Sequence, residues 1–262
     1  MISIVCVFNN KKIMSALLLK GLVGQTAAHE LFALDNTKGR FKSAAEALNY
    51  GGSKAKGEYI MFVHQDVRLP SKTWLEDVEN ALGALPDLGI AGVAGNSKET
   101  LRGVTNVMHG SPPRRAGRMQ LTEPTRAQTL DECLVLIPRK VFRKLKFDEQ
   151  VCDDWHLYAV DYALSAAKRG VCAYILPAMV YHASAGASMS DKYYSTLRRL
   201  LEKHRGAGWI CTTCGFWNQS LPIDLQKIRA FQLFVVGVAV LWKYGARVFL
   251  EDVHWFFFGR GR

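Results

Sequence analysis

Four polar residues stand directly behind apolar, β-branched runs. Asn9 follows Ile2 to Phe8 (ISIVCVF), Asp35 follows Leu31 to Leu34, Asp66 closes Tyr59 to Val63 (YIMFV) in the setting His64-Gln65-Asp66, and His182 follows Val180-Tyr181. In an open α/β sheet, ligands collect beyond the carboxyl ends of strands, so these are the positions where chemistry is expected. Beside a phosphorylated ligand, a carboxylate such as Asp66 holds a divalent cation through oxygen coordination. On spacing alone the better reading is a turn-forming Asp ahead of Leu69-Pro70.

A second group of acids falls in a segment whose pattern predicts a helix from Trp155 to Lys168, with Asp153 or Asp154 as N-cap and Gly170 just past its end. Asp154 and Asp161 are seven residues apart. A helix beginning at Asp154 would put both on one face, where a carboxylate could take a proton from a substrate hydroxyl. The competing readings are a simple N-cap for Asp154 and a buried salt bridge for Asp161. His156, on the same turn, is a further group for an acceptor or a phosphate. Cys211-Thr-Thr-Cys214 lacks the second pair that structural zinc needs and reads as a packed turn, with Trp209, Phe216 and Trp217 as aromatic anchors near an acceptor cleft. Arg102, Arg114, Arg115 and Arg118 are a solvated loop by default; functionally, guanidinium groups could close over a diphosphate or meet an anionic lipid carrier.

The elements that must position these groups follow from periodicity. Strand-like runs at Ile2 to Phe8, Leu31 to Leu34, Tyr59 to Val63, Gly89 to Gly95, Cys133 to Ile137 and Ala173 to Leu176 alternate with helical spacing at Phe41 to Tyr50 and Trp74 to Leu85. That alternation predicts a mostly parallel sheet covered by helices. Between Asn96 and Gln128 the Gly, Pro, Arg and Lys content predicts a mobile basic loop. A chain of 262 residues with 49% hydrophobic and 22% charged content excludes disordered and collagen-like classes. The net charge of +11 favours anionic partners. Six dispersed cysteines fit a reducing compartment better than a disulfide scaffold.

From Asn49 to Asp66 the chain reads N-Y-G-G-S-K-A-K-G-E-Y-I-M-F-V-H-Q-D. It resembles the segment of inverting family 2 glycosyltransferases, of GT-A fold, that leads into their metal-binding D-x-D motif. Asn49, Gly51, Gly57, Glu58, Tyr59 and Asp66 fall at matching places, and His64 replaces the first acid. The end of the first strand (Phe8, Asn9) and Asp35 resemble the family's nucleotide contacts. Asp131 with Cys133 to Arg139, then Phe147-Asp148-Glu149, resembles its acceptor-side strand and F-D-E turn. His182 resembles the histidine that completes the metal site. The usual base of this family starts a helix, and the matching position here is Ala159, so Asp161 and Asp154 remain as the candidates.

The resemblance implies an α/β, Rossmann-like GT-A domain over residues 1–190 and a helical, aromatic-rich extension over 191–262. It implies transfer of a sugar, with inversion, from a nucleotide-diphosphate donor to a hydroxyl on a glycan or lipid-linked carrier. The donor side would use Phe8, Asn9, Asp35, Asn49, His64, Gln65 and Asp66, the acceptor side Asp131, His156 and Trp217. Asp66 and His182 would hold the metal cofactor, Mn2+ or Mg2+. The competing readings are a sugar-1-phosphate nucleotidyltransferase and a non-catalytic nucleotide- or nucleic-acid-binding module; dispersed basic residues argue against a nucleic-acid partner. Met1 enters a strand-like run with no secretory pattern, and Phe231 to Trp242 is too short to span a bilayer, so a cytoplasmic protein is expected. The aromatic cluster Phe249 to Phe258 and the terminal Gly-Arg-Gly-Arg suggest peripheral membrane contact, with a homo-oligomeric interface as the alternative.

Overall fold

The computed structural model describes residues 1–97, 103–117, 119–184 and 189–244. Its centre is a seven-stranded sheet. The spatial order is Thr125–Ala127, Cys172–Ile175, Leu88–Gly92, Leu134–Pro138, Tyr59–Val63, Ile2–Phe8, His29–Asp35. The continuous apolar runs of the sequence are the strands buried on both faces, as expected of a sheet sandwiched between helices. Ile2–Phe8 pairs in parallel with both His29–Asp35 and Tyr59–Val63. Leu134–Pro138, by contrast, runs antiparallel between Tyr59–Val63 and Leu88–Gly92. The sheet is therefore mostly parallel with a reversed strand in its middle, the GT-A arrangement.

Helices cover the two faces. Trp74–Gly83 packs with Ile2, Ile4 and Met61 on one side, and Ala44–Gly52 and Tyr158–Ala167 pack with Val5, Ile60 and Phe62 on the other. Close approach fixes Gly52: a Cβ there would stand 2.4 Å from the Phe142 ring, so the helix could not seat against the sheet with a side chain. A third cluster joins Leu157, Val160 and Leu164 to Tyr193, Leu197, Leu200 and Leu201 of the Asp191–Lys203 helix.

Two expectations are corrected, and the Cys211–Cys214 turn is found as a hairpin turn. The segment taken as a loop between Asn96 and Gln128 contains short strands at Gly103–Thr105, Val107–His109 and Arg114–Arg115, as well as the edge strand Thr125–Ala127. These pair as small side sheets in which two or three residues per strand suffice, too short to leave a period-2 signal. Among the four arginines of that segment, Arg114 and Arg115 are exposed, while Arg102 and Arg118 lie outside the described residues. The expected Trp155–Lys168 helix begins only at Tyr158, because Leu157 takes a left-handed conformation (φ 67°) that a helix cannot continue backwards through. Cys211 and Cys214 lie on and beside a hairpin, Trp209–Thr212 against Gly215–Asn218. Neither forms a disulfide with a described residue.

Candidate active site

At the carboxyl edge of the sheet a cavity of about 470 Å³ is lined by Phe8, Asn9, Asn36, His64, Gln65, Asp66, Asp131, Glu132, His156 and His182, among others. Its floor is built by the ends of the first and third strands. Gln65 ties them together: its Oε1 accepts from the Asn9 and Asn10 backbone N–H groups at 3.1 and 2.9 Å, and its Nε2 donates to Asn9 Oδ1 at 2.7 Å. The reversed strand brings in the other wall. His64 N–H donates to the Cys133 carbonyl at 3.0 Å, extending the antiparallel ladder by one step. The residues that leave Tyr59–Val63 thus meet the residues that enter Leu134–Pro138, and Asp131-Glu132 stands at the same edge as His64-Gln65-Asp66.

His182 arrives on a side strand, Val180–His182, whose antiparallel pairing sets it opposite Val67. Its Nε2 lies 3.2 Å from Asp66 Oδ1, close but not aligned for a hydrogen bond. The Asp66 Oδ2 accepts from the Ser184 N–H at 3.2 Å. Burial alone would raise the Asp66 pKa; the approach of His182 and the neighbouring imidazoles outweighs it and holds the carboxyl below the ordinary aspartate range. Burial, with the adjacent His182, pushes His64 down to about 4, so its ring is neutral at neutral pH. The Tyr158 hydroxyl donates to the Glu132 carbonyl at 3.0 Å, and it meets His64 Nε2 at 3.2 Å. A carbonyl can only accept, so the single hydroxyl proton is committed and His64 must donate from Nε2. Its Nδ1 then carries the lone pair.

His64, Asp66 and His182 each offer a ligand atom, and these atoms lie within 4.8 Å of one another. A depressed carboxyl, a neutral imidazole with a fixed tautomer and a second imidazole nitrogen without a hydrogen bond form a donor set that fits a divalent cation. The sequence assigned the metal to Asp66 and His182 and left His64 open between ligating a metal and bonding a ribose or phosphate oxygen; the structure brings ligand atoms of all three within 4.8 Å of one another.

Other expected site residues are placed elsewhere. Asp35 is exposed at the end of its strand and folds back on its own turn, accepting from Thr37 N and Oγ1; its neighbour Asn36 lines the cavity instead. The Asn49 amide bonds Phe147 O, Phe147 N and Glu149, holding the F-D-E turn to the Ala44–Gly52 helix. Trp217 is 2% exposed and belongs to the core under the Asp191–Lys203 helix, where its Nε1 donates to Thr212. Asp154 lies on the turn before the helix, so it does not share a helical face with Asp161, and its partner is Lys192 at 3.9 Å.

Asp161 has a different task from the proton acceptor expected of it. It is 2% exposed, with Oδ2 accepting from Lys203 Nζ and Oδ1 from His204 Nε2, both at 2.8 Å. Lys203 also reaches Asp148 at 2.8 Å. This network pins the Asp191–Lys203 helix to the central domain. His156 does reach the cavity, with its ring edge-on to Tyr193.

Glu132 went unread in the sequence. The resemblance pointed to its neighbour Asp131; a reversed strand begins at the carboxyl edge and brings both residues just before it to the site. The adjacent acids ahead of the apolar run CLVLI were the available signal.

Comparison with known proteins adds the following. Residues 2–204 match the profile described as "Glycosyltransferase like family". A curated protein of Fuscovulum blasticum, "ATP synthase subunits region ORF 6", is 30% identical over 183 residues, 67% of this chain and 71% of that one. The fold is similar to that of GalNAc-T7, solved with UDP, GalNAc and Mn2+, at TM-score 0.54 and 13% identity over 76% of this chain and 47% of that one. S. aureus TarS 1–349 in complex with UDP-GlcNAc gives TM-score 0.52 and 13% identity over 77% and 66%. The mannosyltransferase PcManGT from Pyrobaculum calidifontis, solved with GDP-Man and Mn2+, gives 0.52 and 15% over 100% and 76%. The chain spans less than two thirds of the first two of these solved proteins.

Proposed function

The chain belongs to the glycosyltransferase-like family, and from that premise we propose that it moves a sugar, with inversion, from a nucleotide-diphosphate donor to an acceptor hydroxyl. The observation that carries this reading is the His64, Asp66, His182 cluster inside a cavity at the carboxyl edge of the sheet. The similar folds solved with UDP-GlcNAc, or with GDP-Man and Mn2+, support a donor of that class.

The nucleotide side is Phe8, Asn9, Asn36 and Gln65, where the Gln65 clamp fixes the strand ends before any ligand arrives. Asp66, His182 and His64 Nδ1 would hold the cation. When bound, it supplies Lewis-acid neutralisation of the charge that develops on the leaving diphosphate. Two imidazoles and one carboxylate favour Mn2+ over Mg2+, which prefers an all-oxygen shell. Tyr158 keeps His64 in the ligating tautomer by accepting its Nε2 proton.

The acceptor is a glycan or lipid-linked hydroxyl. A narrower cleft of about 230 Å³, lined by Ala94, Val104, Val107 and Gly117, shares Asp131, His182, Ser184 and Cys214 with the main cavity and offers it an entrance. Peripheral membrane contact fits the Arg229–Tyr244 helix, on which Phe234 is 66% and Trp242 92% exposed. No helix among the described residues is long and apolar enough to cross a membrane. Phe249 to Phe258 and the terminal Gly-Arg-Gly-Arg lie outside the described residues.

The test is nucleotide release from UDP-, GDP- and dTDP-sugars with added Mn2+. Release from one donor class, abolished by chelation, is the expected result. No release and no donor binding across the panel would remove the reading.

A further inference from the structure

We propose that Glu132 is the general base of this site, taking the proton of the incoming hydroxyl; the proposal rests on the nucleotide-sugar transfer above. At the position where the resemblance would put the base the chain has Ala159. Asp154 is not among the residues that line the cavity and stands 3.9 Å from Lys192, and the other acids around it are already committed. Both oxygens of Asp161 are paired with Lys203 and His204. Asp131 accepts from Cys133 N–H on Oδ1 and from the Thr213 hydroxyl on Oδ2. Asp66 faces His182 and the Ser184 N–H. Glu132 lines the cavity that holds the metal-capable cluster, and its Oε1 is buried without a hydrogen-bond partner among the described residues. A buried carboxyl oxygen left unpaired costs free energy that the fold does not recover, which is the mark of a group kept for a ligand.

The electrostatics agree with the geometry. Burial first, and the Asp131 charge second, raise the Glu132 pKa to about 8, with the Leu157 backbone N–H offsetting part of the rise. Lining the cavity with it are His64, Asp66, His156 and His182; the groups whose charge couples to it are Asp131 on its own strand entrance, Cys152, Tyr158 on the following helix, Tyr193 on the Asp191–Lys203 helix and Cys214 on the hairpin. Burial holds the pKa of the last four above their ordinary values, Cys214 at about 11, so they stay neutral beside it. A carboxylate of raised basicity is matched to hydroxyl deprotonation near neutral pH. In the step, the hydroxyl proton passes to the Glu132 carboxylate as its oxygen bonds the anomeric carbon. The bond from that carbon to the diphosphate oxygen breaks with its electron pair on the leaving nucleotide.

The experiment follows nucleotide release from UDP-GlcNAc and GDP-mannose with Mn2+, water serving as acceptor, across pH for the full-length protein, Glu132→Gln and Glu132→Asp. The wild type should gain rate with rising pH up to an inflection above the ordinary carboxylate range. Glu132→Gln should lose about 10²-fold in kcat together with that pH slope, while donor and Mn2+ binding stay within twofold. Glu132→Asp should keep the slope at reduced rate. Unchanged turnover and pH profile in Glu132→Gln, with normal donor binding, overturn the base alone. Parallel loss of donor and Mn2+ binding in that variant also overturns it, by showing a structural role. A wild type that binds and cleaves neither donor overturns the transfer reading and the base with it.

Discussion

Glu132 and Asp161 are acids within one domain, and the fold treats them in opposite ways. Asp161, on the Tyr158–Ala167 helix, has each oxygen paired at 2.8 Å, with the Lys203 ammonium and with His204. Glu132, at the entrance to the reversed strand, has an oxygen buried and unpaired beside a cluster of imidazoles and a carboxylate. The Asp161 network joins a helix to its domain, and both carboxylate oxygens are taken up in it. The cavity keeps lone pairs uncommitted, at a cost in stability, because a ligand is to use them. Burial of an acid therefore does not by itself mark a site; an unpaired carboxyl oxygen that lines the cavity is the added sign.

Substitutions on the two sides should separate accordingly. Asp66→Ala removes the carboxylate of the cation cluster and should abolish Mn2+-dependent nucleotide release, by 10³-fold or more on the order of removing a main electrostatic group. Its melting temperature should stay close to the wild-type value, and a collapse of the fold would place Asp66 with the structural network instead. Tyr158→Phe leaves the ligands in place but takes away the acceptor of the His64 Nε2 proton. Mn2+ affinity by calorimetry should fall roughly tenfold, as for other groups that orient a ligand. Unchanged affinity would show that the tautomer is set in another way.

Asp161→Asn breaks the paired network and should cost on the order of 3 kcal/mol in denaturant unfolding, because Lys203 is left without its buried partner. The turnover of the molecules that remain folded should match the wild type; a specific loss of kcat would return Asp161 to catalysis. The smallest effect belongs to the surface. Phe234→Glu with Trp242→Glu should release the full chain from anionic liposomes in a sedimentation assay while nucleotide release from a soluble donor is unchanged. These substitutions are better than truncation after Pro222, since Gln226 and Gln232 bond the Gly215–Asn218 strand and would be lost with the tail.

The sheet was legible, apart from its Thr125–Ala127 edge, because its central strands are continuous apolar runs, and Asn9, Asp66 and His182 were legible because they close such runs. What was hidden has physical causes. The start of the Tyr158–Ala167 helix depends on the left-handed Leu157, which no periodicity signals, and the shared face of Asp154 and Asp161 vanished with it. The Asp161 network depends on Lys203 and His204, more than forty residues away along the chain. Glu132 was missed because strand direction is not written in a hydrophobic run. Once Leu134–Pro138 is seen to run antiparallel, its preceding residues become part of the site.

Central to the account is the pairing of one cation with His64, Asp66 and His182. The most direct measurement is Mn2+ binding followed by electron paramagnetic resonance on the wild-type chain, Asp66→Ala and Asp161→Asn at neutral pH, with and without UDP or GDP. One Mn2+ per wild-type chain is expected, tightened by a nucleoside diphosphate, retained in Asp161→Asn and lost in Asp66→Ala. Equal Mn2+ binding by the wild type and Asp66→Ala would contradict it.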